Sequence, residues 1–575
     1  MSFRHLSVAP TPTSEGPTAA ARLLIEGQSN KKIDLFTQAW LRRRAWLLSA
    51  LAIALFIGQL PMLLAACCAP EEATGLGTVW FVNDFAQYES AMRQGAEQSG
   101  WLIHDPFTAE PHQPTLMFPL YVGIGKLAAT LHVPAASLEQ LVAIAARILL
   151  VVSLWRFCRA FASSRAAARW AFGLALFGSG FELFAGLVGG YSGNWSYETN
   201  GFGMLFAAPH VPLGMAATLE LARNGLRRHR GLSPAWLIKM ALLASAMALL
   251  HSFHAPVLLA AMGLVGLIYW RTQRGVANLA GAVAACLGAA PVLLPTVFTF
   301  SLDPFWVGTY SLQNLLPSPA PHELLVDLGP TLVLALIGAV MLRARVAPLG
   351  VLLWLLLGLV AMYVPVPYQR RLSFGMQPAV AILAGNGLVA ASALLSRRRA
   401  AALRLGVVAA AASGTLLIMV SMVASGFRNA PLPIYRSTRD LDLAAAWLDA
   451  SVQPSDVILA DWDAANYLAS RTPARVFGGH PVATLHVAEK QFAVATVFAH
   501  ASSLQVARAL GVQWLVYGPA EAQLQGPAGP AFQSGDVRVY RVDRPAPFPL
   551  PDESSVRDFP RGDPRRGPSA SFIPG

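Results

Sequence analysis

Runs of apolar residues recur along most of the chain, divided by short polar or basic connections. They fall near 45–67, 137–157, 170–190, 203–222, 235–251, 254–270, 276–300, 328–342, 348–365, 376–395 and 404–425. A helix of about 20 apolar residues crosses a bilayer core, so the pattern predicts a polytopic α-helical membrane protein of about 11 transmembrane helices. Past 427 the pattern changes: "DLDLAAAWLDA" and "HVAEKQFAVATVFAHA" have helical spacing, whereas "DVILAD", "ARVFGG", "VQWLVYG" and "VRVYRV" read as strands. Helix and strand alternating over 428–545 predict a small α/β domain outside the membrane. Residues 1–44 are a Ser-, Pro- and Thr-rich tail ending in the basic amphipathic segment "KKIDLFTQAWLRRR". The Pro- and Arg-rich stretch 546–575 reads as disordered.

Charge fixes the direction of the path. Arginine clusters at 156–169, 223–230, 271–274, 343–345 and 397–404 belong on the cytoplasmic side by the positive-inside rule. They all do so, with the N-terminus inside and the carboxyl-terminal domain outside, provided that "TLMFPLYVGIGKLAATL" (115–131) does not cross. Pro119, two glycines and Lys126 suit a juxtamembrane or re-entrant helix on the outer face. Polar segments 68–136, 191–202, 301–327 and 366–375 then face the exterior.

Composition agrees. The 575 residues are 55% hydrophobic and 13% charged, half the charge of a typical soluble domain; mean hydropathy is +0.48. The net charge of +12 sits in the topology clusters, which excludes a nucleic-acid-binding face as partner surface and leaves membrane lipids. Cys67, Cys68, Cys158 and Cys286 have no metal-ligand or disulfide spacing. "LLAAC" at 63–67 looks like a lipoprotein cleavage box, but it lies too far from the start to end a signal peptide.

The densest titratable stretch follows the first apolar run. "DFAQYESAMRQGAEQS" has helical spacing and places Asp84 near its start, suited to act as a general base, to hold a divalent cation, or simply to cap the helix. The proline-broken coil "WLIHDPFTAEPHQP" carries His104, Asp105, Glu110 and His112, groups able to position a metal, a sugar hydroxyl or a phosphate. A second constellation, "VPVPYQRRLSFGMQP", sets Tyr368, Gln369, Arg370 and Arg371 at an outer span end, where guanidinium forks suit a lipid phosphate. Glu182 lies inside a span, and His210, His251 and His254 at outer span ends. In the outer domain, Asp461 and Asp463 of "ADWDAANY" read as a strand-end turn and helix cap.

With these residues in view the chain resembles the integral-membrane GT-C glycosyltransferases, near the bacterial mannosyltransferase and lipid A sugar-transferase relatives. The resemblance covers about 45–425 and rests on Asp84 in the first outer loop, the run "WLIHDPFTAEPH" (101–112) and "YQRR" (368–371); "NYLASRTPARVFGGHP" (466–481) is similar to the outer domain ending many such chains. It implies a GT-C-like fold, a bacterial cytoplasmic-membrane location and a polyprenyl-phosphate-linked sugar donor, with a lipid, glycan or protein acceptor. It also implies that Asp84 is the catalytic acid, activating the acceptor or helping to bind a divalent cation (Mg or Mn), and that Arg370 and Arg371 hold the carrier phosphate. Many members carry paired acids where Asn83 precedes Asp84 here, a departure that bears on the metal. The competing reading is a transporter or flippase of a lipid-linked or small polar substrate. It is disfavoured by the absence of an internal repeat and by polar groups gathered on one face.

Overall fold

A computed structural model describes residues 45–60, 63, 67, 73–76, 82–178, 201–229, 231–273, 275–315, 317–342, 346–416, 419–420 and 435–542. The tail and amphipathic segment 1–44, Glu182 and the stretch 546–575 lie outside the described residues. Two compact units are present, Met1–Ile57 and Gly58–Gly575. The first contributes most of one apolar helix, α1 (Ala45–Leu60).

In chain order the helices of the second unit are α2 (Val82–Glu97), α3 (Pro119–Leu131), α4 (Ala135–Phe161), α5 (Arg165–Phe177), α6 (His210–Gly225), α7 (Pro234–His251), α8 (Ala255–Gln273), α9 (Ala277–Leu302), α10 (Pro321–Leu342), α11 (Val346–Ala361), α12 (Met376–Ala393) and α13 (Arg397–Ala411). Among the described residues, four stretches are long and apolar enough to cross a membrane: Ala135–Phe161, Pro234–Thr272, Ala277–Leu302 and Gln369–Ala393. Thr331–Met341 and Leu349–Ala361 are shorter apolar helices. The chain is thus a multi-pass membrane protein. The Pro234–Thr272 stretch is broken where the sequence predicts: His251 leaves helical geometry (φ −157°, ψ 81°) and a 3-10 turn, Ser252–His254, joins α7 to α8. Large apolar residues on these helices, Leu242 and Leu287 among them, are exposed.

The segment expected not to cross is indeed short. α3 has 13 residues and begins at Pro119, whose fixed φ suits a first helical position. It lies directly on α2. A Cβ on Gly125 would meet the Met92 carbonyl at 1.9 Å, and one on Gly95 the Val122 carbonyl at 2.3 Å. Only glycine permits this approach, and it fixes α2 against α3. Lys126 ties the pair to the following loop by donating to the Gln98 carbonyl (2.6 Å).

The carboxyl-terminal domain holds α14 (Arg439–Ser451), α15 (Trp462–Arg471), α16 (Val487–Ala499) and α17 (Ser503–Ala509). Its strands are β3 (Val457–Leu459), β4 (Arg475–Val476), β5 (Trp514–Tyr517), β6 (Phe532–Ser534) and β7 (Val537–Arg541), in the order β4-β3-β5-β7-β6. β3, β4 and β5 run parallel, and the β6–β7 hairpin closes one edge antiparallel to β5. Every strand and helix named from the sequence is present.

The domain does not fold apart from the first loop. β1 (Ala73–Leu76) pairs antiparallel with β2 (Tyr435–Thr438). Ala86 of α2 and Phe107 of the loop, at most 1% exposed, share one core with Leu448, Ile458, Leu468 and Val516. The Val476 amide donates to the Pro106 carbonyl, and Thr108 bridges Gly478. The boundary drawn at 428 therefore divides the chain, but not the hydrophobic core.

Candidate functional site

α2 begins at Val82, so Asp84 is in its first turn and is not the N-cap; the capping expectation gives way to another partner. Asp84 Oδ1 lies 3.1 Å from His480 Nε2, across 396 residues of sequence. The His480 side chain is 1% exposed and that of Asp84 is 34% exposed, so the carboxylate keeps a face toward solvent. His480 follows β4 in "GGHP". Its Nδ1 accepts from the Val482 and Ala483 amides, both at 3.0 Å. A nitrogen accepting two N–H groups carries no proton, so the ring is neutral, with its proton on Nε2 aimed at Asp84. Thr484 fixes the loop: its hydroxyl accepts from the Gly479 and His480 amides and donates to the Phe107 carbonyl (2.7 Å).

One turn along α2, the Gln87 amide donates to the Tyr310 hydroxyl (3.4 Å). Tyr310 belongs to a π-helical turn, Val307–Gln313, beyond the carboxyl-terminal end of α9. Burial raises its pKa well above the ordinary value; Asp105 and Asp84 push the same way and Arg371 opposes them. Asp84, Asp105 and Arg371 are thus all within electrostatic reach of the Tyr310 hydroxyl.

Arg371 lies in the 3-10 turn Gln369–Ser373, with its guanidinium carbon 4.7 Å from the Phe253 ring centre. Gly375 makes the turn into α12: its φ is +88°, and a Cβ there would meet the Trp354 ring at 2.2 Å. Of its neighbours, Tyr368 is exposed and its ring lies 5.5 Å from Phe253. The Gln369 carboxamide, turned so that its nitrogen donates to the Val364 carbonyl (3.0 Å) and its oxygen accepts from the Ser318 amide (2.9 Å), braces the loop. Arg370 accepts at its carbonyl from Ser373 Oγ.

The histidines of the span ends form an aromatic wall. His210 Nδ1 shares a 2.9 Å hydrogen bond with Tyr121, whose ring stacks on Tyr88 at 4.4 Å. His210 and His251 rings lie parallel 6.2 Å apart, and His254 is 4.6 Å beyond His251.

The loop residues divide by role. His112 Nε2 accepts from the Asp105 amide (2.8 Å), so its Nδ1 donates to the Glu110 carbonyl (3.0 Å); the ring stacks on Phe305 at 4.1 Å. Both nitrogens are spent on the loop, and burial holds the imidazole below its usual pKa. Partial burial, with Arg475 nearby, does the same for His104, whose backbone is clamped by the Gln94 carboxamide. Glu110 accepts from Lys490 (2.7 Å) and from Thr108. Burial works against its charge, yet Lys490 holds the carboxyl below the ordinary range. Glu110 thus ties the loop to the carboxyl-terminal domain and His112 closes it on itself, whatever further part they play.

Asp105 differs. It is 5% exposed, Oδ1 accepts from the Phe107 amide (2.9 Å), and Oδ2 has no partner among the described residues. Burial raises its pKa to about 7. Between pH 4 and 7 the unfolded chain loses this proton while the folded chain keeps it. The contribution to stability is therefore full below about pH 4 and falls until about pH 7, by a few kcal/mol in order of magnitude. Asp105→Asn preserves the acceptor and removes the titration. The unfolding midpoint of wild type, relative to this variant, should fall from pH 5 to pH 8 in detergent; parallel curves would show that Asp105 does not titrate there.

A divalent cation was expected at Asp84. Among the described residues, no three His, Cys, Asp or Glu side chains converge as a cation site. The one described side-chain partner of Asp84 presents a proton rather than a lone pair.

No protein-family model and no curated protein matches the chain. Solved structures do. Its structural neighbours include an oligosaccharyltransferase and an arabinofuranosyltransferase. The first, from Archaeoglobus fulgidus and tethered to an acceptor peptide containing the NVT sequon, is 15% identical, with 83% of this chain and 69% of that chain covered and a TM-score of 0.47. The archaeal oligosaccharyltransferase AglB with an inhibitory peptide and a dolichol-phosphate gives 14% identity, 83% and 70% coverage and 0.48. Another structure of the Archaeoglobus enzyme is a complex with Zn and sulfate. The mycobacterial arabinofuranosyltransferase AftD gives 15% identity, covering 88% of this chain and 42% of that one, with a TM-score of 0.46.

His480 is the residue that reasoning from the sequence missed. It stood inside the quoted "GGHP" segment, but nothing in its spacing connected it to Asp84.

Proposed function

We propose that the chain is a membrane glycosyltransferase that moves a sugar from a polyprenyl-phosphate carrier to an acceptor hydroxyl or amide at the outer membrane face. The observation supporting this reading is a carboxylate that keeps a face toward solvent, Asp84, held by His480 on the helix whose next turn meets Tyr310, together with Arg371 in a 3-10 turn at the start of an apolar stretch. Asp84 belongs to the loop beneath the soluble domain; Arg371 stands at the start of the apolar stretch Gln369–Ala393.

That pairing suits a single displacement with inversion. The acceptor's lone pair forms a bond to the anomeric carbon as the carbon–oxygen bond to the carrier phosphate breaks. The departing electron pair goes to the phosphate, whose growing charge Arg371 stabilises, with Arg370 beside it in the turn. The acceptor's proton passes to Asp84 Oδ2, because Oδ1 is already engaged by His480.

The test is transfer from radiolabelled polyprenyl-phosphate sugars by the purified protein in lipid nanodiscs. Arg371→Ala should lower kcat/KM by about 30-fold through loss of a charge-assisted contact, with Arg371→Lys in between. Unchanged rates in both would remove Arg371 from the reaction. Label crossing between leaflets without donor consumption would mark a flippase instead.

A further inference from the structure

The partner that holds Asp84 comes from the carboxyl-terminal domain, and its geometry is specific. His480 Nε2 can only donate, because its Nδ1 is taken by two backbone amides. The ring is packed edge-on against Phe107 at 5.4 Å and is 1% exposed, so it cannot swing away without opening the loop. The loop is itself closed by Thr484, which joins the Gly479 and His480 amides to the Phe107 carbonyl. A Cβ at Gly479 would meet the Asn466 amide nitrogen at 2.8 Å, so the turn packs directly on α15. Asn466 in turn donates to the Asn83 carbonyl (3.4 Å), beside Asp84. Farther along α2, Ser470 and Arg471 of α15 both reach Glu89, each at 3.2 Å. The first two turns of α2, Asp84 included, are therefore held at several points by the carboxyl-terminal domain.

We infer that His480 is a positioning residue for transfer: the carboxyl-terminal domain supplies the hydrogen bond that orients Asp84. One carboxylate oxygen is pinned by a fixed donor, which sets the plane of the group and leaves the lone pairs of the other oxygen pointing in one direction. A base held this way meets the acceptor hydroxyl without first freezing its own rotamer. The donor is neutral, so it orients the carboxylate without adding the full charge of an ion pair. It follows that the reacting site is complete only when the domain is docked on the first loop. The parallel strand β4 ends at this turn, so the sheet's carboxyl edge delivers the residue, as such edges deliver ligand-contacting residues in other α/β sheets.

This inference rests on the reading of Asp84 as the base, and the experiment separates the two. Wild type, Asp84→Asn, His480→Ala and His480→Gln are compared in nanodiscs at saturating and limiting labelled donor, with unfolding midpoints recorded for each. His480→Ala should lower kcat about 100-fold with KM nearly unchanged, because a misaligned group costs reaction rate more than binding. His480→Gln places an N–H near the Nε2 position and should recover at least about tenfold of that loss. A purely structural histidine would lower the midpoint and the amount of active protein, and glutamine would rescue kcat no better than alanine. Wild-type kcat in His480→Ala, or equal losses in the alanine and glutamine variants, overturns the inference. If wild type transfers nothing, or Asp84→Asn is as active as wild type, it is the reading of Asp84 that fails.

Discussion

Asp84→Asn lowers sugar transfer roughly a thousandfold, within the range that a positioned general base contributes, while the unfolding midpoint stays near that of wild type. The substitution is close to isosteric. Asparagine Oδ1 still accepts from His480 Nε2, so the contact at 3.1 Å and the turn behind it persist. What disappears is the basic oxygen on the exposed side of the group, the atom assigned to take the acceptor's proton. Initial rates at saturating donor, normalised to folded protein, measure the effect. Activity within about threefold of wild type would mean that no base of this strength acts at that position.

Lys490→Met destabilises the outer assembly by about 3–5 kcal/mol, the usual result of stranding one member of a buried ion pair. Lys490 Nζ lies 2.7 Å from Glu110 with side-chain exposures of 7% and 18%, and it also donates to Thr108 (3.2 Å). Without it, the Glu110 carboxylate is left beside Asp105, a second acid in the same buried pocket of the loop. The double variant Glu110→Gln/Lys490→Met should recover most of the loss, because the uncompensated charge is gone. Thermal unfolding in detergent, read together with the rate of proteolysis between the first loop and the domain, distinguishes the two. Equal destabilisation in the single and double variants would show that the pair is not coupled.

The two predictions concern the same loop but different kinds of residue, and the sequence separated them poorly. Asp105, Glu110, His104 and His112 all looked like chemistry because charged groups crowded a proline-rich coil. In the structure the Glu110 side chain meets a lysine 380 residues away, and His112 closes the loop on its own backbone. Such contacts are also what burial demands: a coil without regular hydrogen bonds must find partners for its polar groups. Nothing local in the chain could show which of these residues were to be buried, because the surface that buries them follows more than 300 positions later.

What the sequence determined by itself was whatever depends on short-range periodicity. Apolar runs became helices, alternation became strands, and the glycines and Pro119 of 115–131 marked a helix too short to span. The place of Asp84 near the start of α2 was legible from helical spacing. Only the tertiary structure decided which side chains face one another. It joined Asp84 to His480, set Gln87 against Tyr310, and drew Ala86 and Phe107 into the core of the carboxyl-terminal domain. The physical reason is range. Backbone propensity acts over a few residues, whereas a hydrogen bond between β4's turn and α2 exists only once sheet register and loop docking have brought distant segments within 3.1 Å.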